Sequence, residues 1–422
     1  MRFPRYQFAA CGFICLSLLA AIALTMVVIS PAPAAAADPR EPFRIDFNDG
    51  SLIKDFAWWD DDQLCLYAVN PNGAIVWLHN IGSGERRKLV TARDLARIFG
   101  ADANWSELRL SLSPHRRYLS FYAPPAGPLA PALFKVLDLG KGRATPVSFT
   151  KLPPGFIPGV HAWDNTGKYV YVAAREYMSP ESDISLGRLS LETGTFLGLT
   201  RKSDLDLIQS LNYDPAHNAL IIVSRGYKGA YPRQEFLLSY SLTTNELAQL
   251  GGAYLFRGIQ VTVGGEILAA TLNPQKSEGE FFPGFLMVAP EMHPPQTPEE
   301  GKAERLISQI ILIRQDSEGR GKKGEDSPEV LLTGQLRGFD FNPYLSPDGR
   351  FMAFLRLFYR LPYAVEVHPP PNEAFLFLQE RDSAQEFMVM QGADRFQVSP
   401  GEHYLAARSS DGTHLELFEL PR

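Results

Sequence analysis

Apolar and polar positions along this chain fall into a unit that recurs seven times. A half-apolar strand runs into a tight polar turn, and a second strand, apolar at nearly every position, follows. The turns are Asp60-Asp61-Asp62, Ser113-Pro114-His115, Asp164-Asn165-Thr166-Gly167, Asp214-Pro215-Ala216-His217, Gly264-Gly265-Glu266, Ser346-Pro347-Asp348-Gly349 and Ser399-Pro400-Gly401. From one turn to the next the spacing is about 50 residues, with one longer step before Pro347, and a period of that length carrying several short strands predicts a β-propeller.

Each repeat reads as four strands, a to d, with a nearest the axis. Strand b is the clearest: Leu64–Val69, Tyr118–Ala123, Tyr169–Ala174, Ala219–Ser224, Ile267–Thr271, Phe351–Leu355 and Tyr404–Ala407. These runs are β-branched and aromatic on both faces, as a strand held between two neighbouring sheets must be. Strand c follows at Ile75–Leu78, Leu133–Leu137, Ile184–Leu189, Phe236–Tyr240, Ile310–Ile313, Phe375–Leu378 and Leu415–Phe418. Arg422 comes soon after the seventh strand c, with no room for a seventh strand d. Phe43–Phe47, ahead of the first strand a, alternates apolar and polar residues and has no partner of its own. The expectation is therefore an all-β, seven-bladed propeller closed by the N-terminal strand pairing in the last blade, which also removes an exposed sheet edge. Loop insertions are expected near 273–302 and 316–328, where Pro, Gly and charge accumulate. One short helix is expected at Thr91–Phe99, with Thr91 as its cap and Gly100 as its stop.

Arg2 and Arg5, an apolar run from Phe8 to Ile29 and the small residues up to Ala37 have the build of an export signal, placing its end near residue 37. The apolar run is also long enough to span a bilayer, so retention as an N-terminal anchor is the second expectation and the only membrane link implied. Residues 38–422 then form a single propeller, exported and expected in the periplasm. The net charge of −6, with both signs interspersed, offers no footprint for nucleic acid. Of three cysteines, Cys11 and Cys15 lie in the signal segment, and Cys65 sits in the apolar run Leu64–Tyr67, where a buried inert thiol is expected.

The stretch Leu345-Ser346-Pro347-Asp348-Gly349-Arg350-Phe351 resembles the repeat of TolB-like, WD40-like propellers, in which a strand ends in Ser-Pro-Asp-Gly-Lys/Arg before an apolar strand. Weaker copies stand at Ser113–Tyr118, Asp164–Tyr169 and Ser399–Tyr404. The resemblance implies the fold and an exported location and carries over no catalytic residue. The separate N-terminal α/β domain of TolB has no counterpart here, nor does the hydrolase domain of prolyl-oligopeptidase-like peptidases or its Gly-x-Ser-x-Gly elbow.

Antiparallel strands put the b–c loops and the d–a crossovers on one face of the disc. The b–c loops carry Tyr227, Tyr231, Phe358, Tyr359 and Tyr363 among other aromatics, a composition suited to a partner surface. Arg175, Arg225, Arg356 and Arg408 follow or end strand b near the same face, where they would either converge on a carboxylate or phosphate or bond to loop carbonyls or to a neighbouring blade's Asp. The eight histidines show no metal-ligand spacing, and no cofactor is implied. The function expected is a monomeric, non-catalytic scaffold binding an envelope or periplasmic protein, peptide or polymer through the b–c face. The alternative is a propeller enzyme of lactonase, glycosidase or quinoprotein type, using strand-a residues such as Asp55, Glu107, His161 and Asp340 in the central channel; the rival account of those four is solvated channel lining.

Overall fold

In a computed structural model of the protein, the described residues are 42–100, 105–123, 133–140, 144–147, 152–174, 182–229, 235–250, 255–274, 306–315, 328–333, 338–358 and 374–420. They form seven four-stranded sheets. Blade 1 is β2 (Leu52–Trp58), β3 (Gln63–Asn70), β4 (Gly73–Asn80) and β5 (Arg86–Val90). Blade 2 is β6 (Arg109–Leu112), β7 (Tyr118–Ala123), β8 (Leu133–Asp138) and β9 (Thr145–Pro146), and blade 3 is β10 (Pro158–Trp163), β11 (Tyr169–Ala174), β12 (Ile184–Ser190) and β13 (Phe196–Arg201). Blade 4 holds β14 (Leu205–Asp214), β15 (Ala219–Tyr227), β16 (Phe236–Ser241) and β17 (Leu247–Gln249); blade 5 holds β18 (Leu255–Val261), β19 (Ile267–Pro274), β20 (Leu306–Ile313) and β21 (Glu329–Thr333). Blade 6 is β22 (Gly338–Leu345), β23 (Phe351–Phe358), β24 (Ala374–Glu380) and β25 (Gln385–Gln391). Blade 7 takes β26 (Ala393–Val398), β27 (Tyr404–Ser409) and β28 (His414–Glu419), and its outer strand is β1 (Phe43–Asp46), so the ring closes as the sequence implied.

The apolar core is distributed between the blades. Seven clusters of buried side chains each fill one interface between neighbouring sheets: Tyr67, Leu110 and Phe121 between blades 1 and 2, for example, and Leu268, Ile310, Met352 and Phe354 between blades 5 and 6. This is why strand b is apolar on both faces. At the closing interface Ile45 of β1 joins Ile53, Leu64, Leu415 and Leu417. Cys65 is fully buried, and desolvation, aided by the charge of Asp55, pushes its thiol up to about 12, consistent with an inert packing group.

The a–b turns of blades 2, 3, 6 and 7 share one construction. Their first polar side chain accepts the amide that opens strand b: Ser113 Oγ from Tyr118, Asp164 Oδ1 from Tyr169, Ser346 Oγ from Phe351 and Ser399 Oγ from Tyr404, at 2.8–3.1 Å. The fourth residue has positive φ, which Gly167 and Gly349 adopt without cost and which Arg116 (61°) and Glu402 (58°) adopt under strain. The Ser-Pro-Asp-Gly pattern is the form that meets both demands. Turns of adjacent blades also touch, with the His115 ring against Gly167 and His217 filling the space above Gly265. The histidines of this face are thus packing and turn residues; His217 Nδ1 lies 2.7 Å from the buried Asp214 carboxylate.

Helix α1 (Ala92–Phe99) follows β5. Thr91 caps it by accepting the Asp94 amide, and Leu95, Ile98 and Phe99 pack on the first interblade cluster. No described helix is long and apolar enough to cross a membrane. The export segment expected up to residue 37 lies outside the described residues, as do nearly all of the insertions expected near 273–302 and 316–328.

Candidate functional site

The face bearing the b–c loops and d–a crossovers is framed by the ends of strands b and the beginnings of strands a. Alternation in an antiparallel hairpin brings a charge near the start of strand a beside one near the end of strand b. In blade 6, Asp340 and Arg356 are register partners. The Arg356 guanidinium, 3 % exposed, donates to Asp340 Oδ1 at 2.6 Å and to Glu386 Oε2 on β25 at 2.6 Å, and it lies 4.9 Å from the ring centroids of Phe354 and Phe377. Burial works against this cation, and its hydrogen bonds to the two carboxylates outweigh it, so its pKa is raised. Desolvation likewise raises Asp340, with Arg356 opposing. In blade 7, Arg408 makes a two-pronged contact with Asp394, through Nε at 2.9 Å and through Nη2. In blade 4, Arg225 is 3.7 Å from Glu235, whose pKa is raised by burial although it accepts the Phe256 amide at 2.7 Å.

Three of the four arginines singled out in the sequence are therefore held by carboxylates of their own blades, and Arg175 lies outside the described residues. The alternative of bonds to a neighbouring blade's carboxylate is replaced by pairing within the blade: Asp340 is the register partner of Arg356, and Asp394 is the bulged residue of β26 beside Arg395, the register partner of Arg408. Of the aromatic residues, Tyr227 ends β15 half-buried. Its ring is edge-on to Phe236 at 5.4 Å, with Lys228 Nζ 5.0 Å from its centroid. Phe358 closes β23 opposite Gly338. Tyr231, Tyr359 and Tyr363 lie outside the described residues.

The strand-a residues considered for channel chemistry have other partners. Asp55, fully buried, accepts the Leu110 amide of blade 2 at 2.8 Å and binds Arg395 of blade 7, so one carboxylate ties three blades together. Neither Asp55 nor Asp340 is solvated channel lining, which corrects that expectation: an edge strand buried at the axis must have its open amides and charges satisfied by neighbours. His161 Nε2 is 2.8 Å from Ser120 Oγ, and burial pushes this imidazole down to about 4. Ser120 is fully buried and its hydroxyl also reaches the Ser111 carbonyl at 3.2 Å, so the pair joins blades 2 and 3, with the His161 side chain half-buried. For Glu107 only the backbone, in a single 3-10 turn, is described.

Sequence reasoning missed Asp55–Arg395, Glu235 and Ser308, which accepts the Asp340 amide at 2.8 Å. The available signal was a charge or hydroxyl inside an otherwise apolar strand. Among the described residues no group of three or more His, Cys, Asp or Glu side chains gathers as a metal site.

No family model and no curated relative matches this chain. Solved structures do match at the level of fold. An oligogalacturonate lyase from Vibrio parahaemolyticus superposes with a TM-score of 0.55 at 9 % identity, covering 90 % of this chain and 97 % of that one. The hydrazine synthase of Kuenenia stuttgartiensis gives 0.54 at 12 %, covering 89 % and 97 %. The tricorn protease gives 0.52 at 10 %, covering 91 % of this chain and 34 % of the protease. The chains share the propeller and differ in nearly every residue.

Proposed function

We propose, for a chain whose fold is a seven-bladed β-propeller, that it is an exported binding scaffold, resident in the periplasm, that holds a protein, peptide or envelope polymer on its b–c loop face. The observation that carries this reading is the use made of charge on that face. Arg356, Arg408 and Asp55, the buried charges that border it, are tied within or between blades. Such a frame is stiff, and loops presented from a stiff frame lose little freedom when a partner is bound. Recognition then falls to the aromatic side chains of the loops, Tyr227, Tyr231, Phe358, Tyr359 and Tyr363. The fold is shared with a lyase acting on an acidic oligosaccharide, which keeps a polymer among the partners to be tried.

The test replaces Tyr227, Tyr231, Phe358 and Tyr359 together by Ser and compares pull-downs from envelope extract. The expected result is loss of the main partner, with a thermal transition within a few degrees of the parent. An unchanged partner set with the fold intact refutes the assignment of this face. Turnover of an envelope polymer that is abolished by Asp55→Asn, in a variant that stays folded, would favour the enzymatic reading instead.

A further inference from the structure

The seam between the first and last blades contains a buried imidazole whose hydrogen bonding is incomplete. His79, on β4, is 2 % exposed. Its Nδ1 accepts a hydrogen bond from Arg86 Nε of β5 at 3.2 Å, which leaves the proton of the neutral ring on Nε2. That atom is buried and has no partner. Arg86 does more than hold the ring. Its Nη2 donates to the Asp46 carbonyl of β1 at 2.7 Å, and its guanidinium lies 4.4 Å from the centroid of Phe47. One arginine thus spans the outer strand of blade 1 and the outer strand of blade 7, and the lone pair of His79 Nδ1 accepts from its Nε.

We infer that protonation of His79 releases the ring-closing strand β1 and makes closure of this propeller sensitive to acid. The second proton must go to Nδ1, which turns an acceptor toward Arg86 into a donor and sets two positive charges against each other. Arg86 has to leave, and its contacts with Asp46 and Phe47 go with it. What then holds β1 is its ladder with β28, the side chain of Ile45, which is the one fully buried residue of a four-residue strand, and the adjoining Phe47, whose ring centroid lies 6.1 Å from that of Trp77. Of the other charges around the site, two carboxylates attract Arg86 and oppose its release in part, but they do not restore the lost lone pair. On β1 and the turn after it, Asp46 and Asp49 act on Arg86. On β3 the residue paired with His79 is Leu64. On β5, Lys88 lies over Trp77, 5.4 Å from its ring centroid. On β28, His414 and Glu416 face each other at 3.4 Å.

The direction of the effect follows from linkage. Desolvation, followed by the Arg86 charge, lowers His79 from 6.5 to about 4 in the closed ring. An exposed imidazole in the opened state returns to about 6.5, so closure is fully favoured above that pH and weakens as pH falls toward 4. At pH 4.5 the opening equilibrium rises by roughly 10- to 100-fold over its value at pH 7.

The experiment is hydrogen exchange on the intact protein, read as protection factors corrected for the intrinsic pH dependence of exchange. The peptide covering residues 43–47 is compared with β15 and β16 of blade 4 at pH 7 and pH 4.5. The expected result is a loss of protection of at least 10-fold in 43–47 with little change in blade 4. In His79→Gln, whose amide oxygen still accepts from Arg86 but cannot titrate, the same peptide keeps its protection at both pH values. Arg86→Met serves as a second variant and is expected to show low protection at both. Three results overturn the inference: flat protection in the parent, equal pH sensitivity in His79→Gln, or simultaneous loss of protection in every blade.

Discussion

Arg356 shows how a single side chain is fixed in this fold. It is buried with Asp340, bonded also to the half-buried Glu386, and placed 4.9 Å from the ring centroids of Phe354 and Phe377. A buried pair of this kind adds little net stability over an apolar replacement, yet removing one member strands the other without a counter-charge. Arg356→Ala is therefore expected to cost about 3–5 kcal/mol, and Arg356→Met combined with Asp340→Leu to cost much less, both read from urea denaturation at pH 7. The hairpin charges were legible in the sequence as residue types. Their pairing would have followed from matching the start of strand a with the end of strand b. The bond from Arg395 to Asp55 was not legible, because it joins residues 340 positions apart and exists only once the ring has closed.

At the scale of elements, strands b and c and helix α1 could be read because burial on both faces, or on one helical stripe, leaves a periodic trace. Strands d could not: β9 has two residues and β17 three, and their outward positions are polar. The bulges of strand a left no periodic signal either, since one extra residue breaks the alternation that marks a strand. Register shifts occur in β2, β10, β14, β18, β22 and β26. In β18 the bulge includes Gly258, with φ of 137°, and a Cβ there would stand 2.7 Å from the Asn342 backbone nitrogen of blade 6. Any side chain must push two inner strands apart. Gly258→Ala is expected to lower stability by about 2 kcal/mol or more, whereas Gly84→Ala, at a turn with open space around it, is expected to cost about 1 kcal/mol. Thermal unfolding of the two variants side by side checks the difference.

On the scale of the whole molecule, each blade is held by two neighbours through apolar clusters and by polar bridges such as Asp55, Ser308 and Glu235. In the last interface, Ile45 is the one buried residue that β1 contributes to a cluster otherwise built from blade 1 and strands β27 and β28. Ile45→Asp places a charge in that interface and is expected to cost about 3 kcal/mol or more, seen as a lowered denaturation midpoint. The bladed ring and its closure were legible because the repeat could be counted and one strand was left over. The composition of the b–c face was legible only as a list of side chains, since loops carry no period from which their arrangement can be deduced.

The leftover strand has a consequence for how the protein is made. β1 precedes every other described strand, yet its partner β28 begins at His414. During synthesis the earliest sheet segment stays unpaired until six blades and most of the seventh have been laid down, so the joining step carries nearly the largest sequence separation the chain allows and is expected to be the slow one. For most of its assembly the protein is an unfinished arc with a sticky strand at one end, and a chaperone that shelters this strand would act on the step that decides yield.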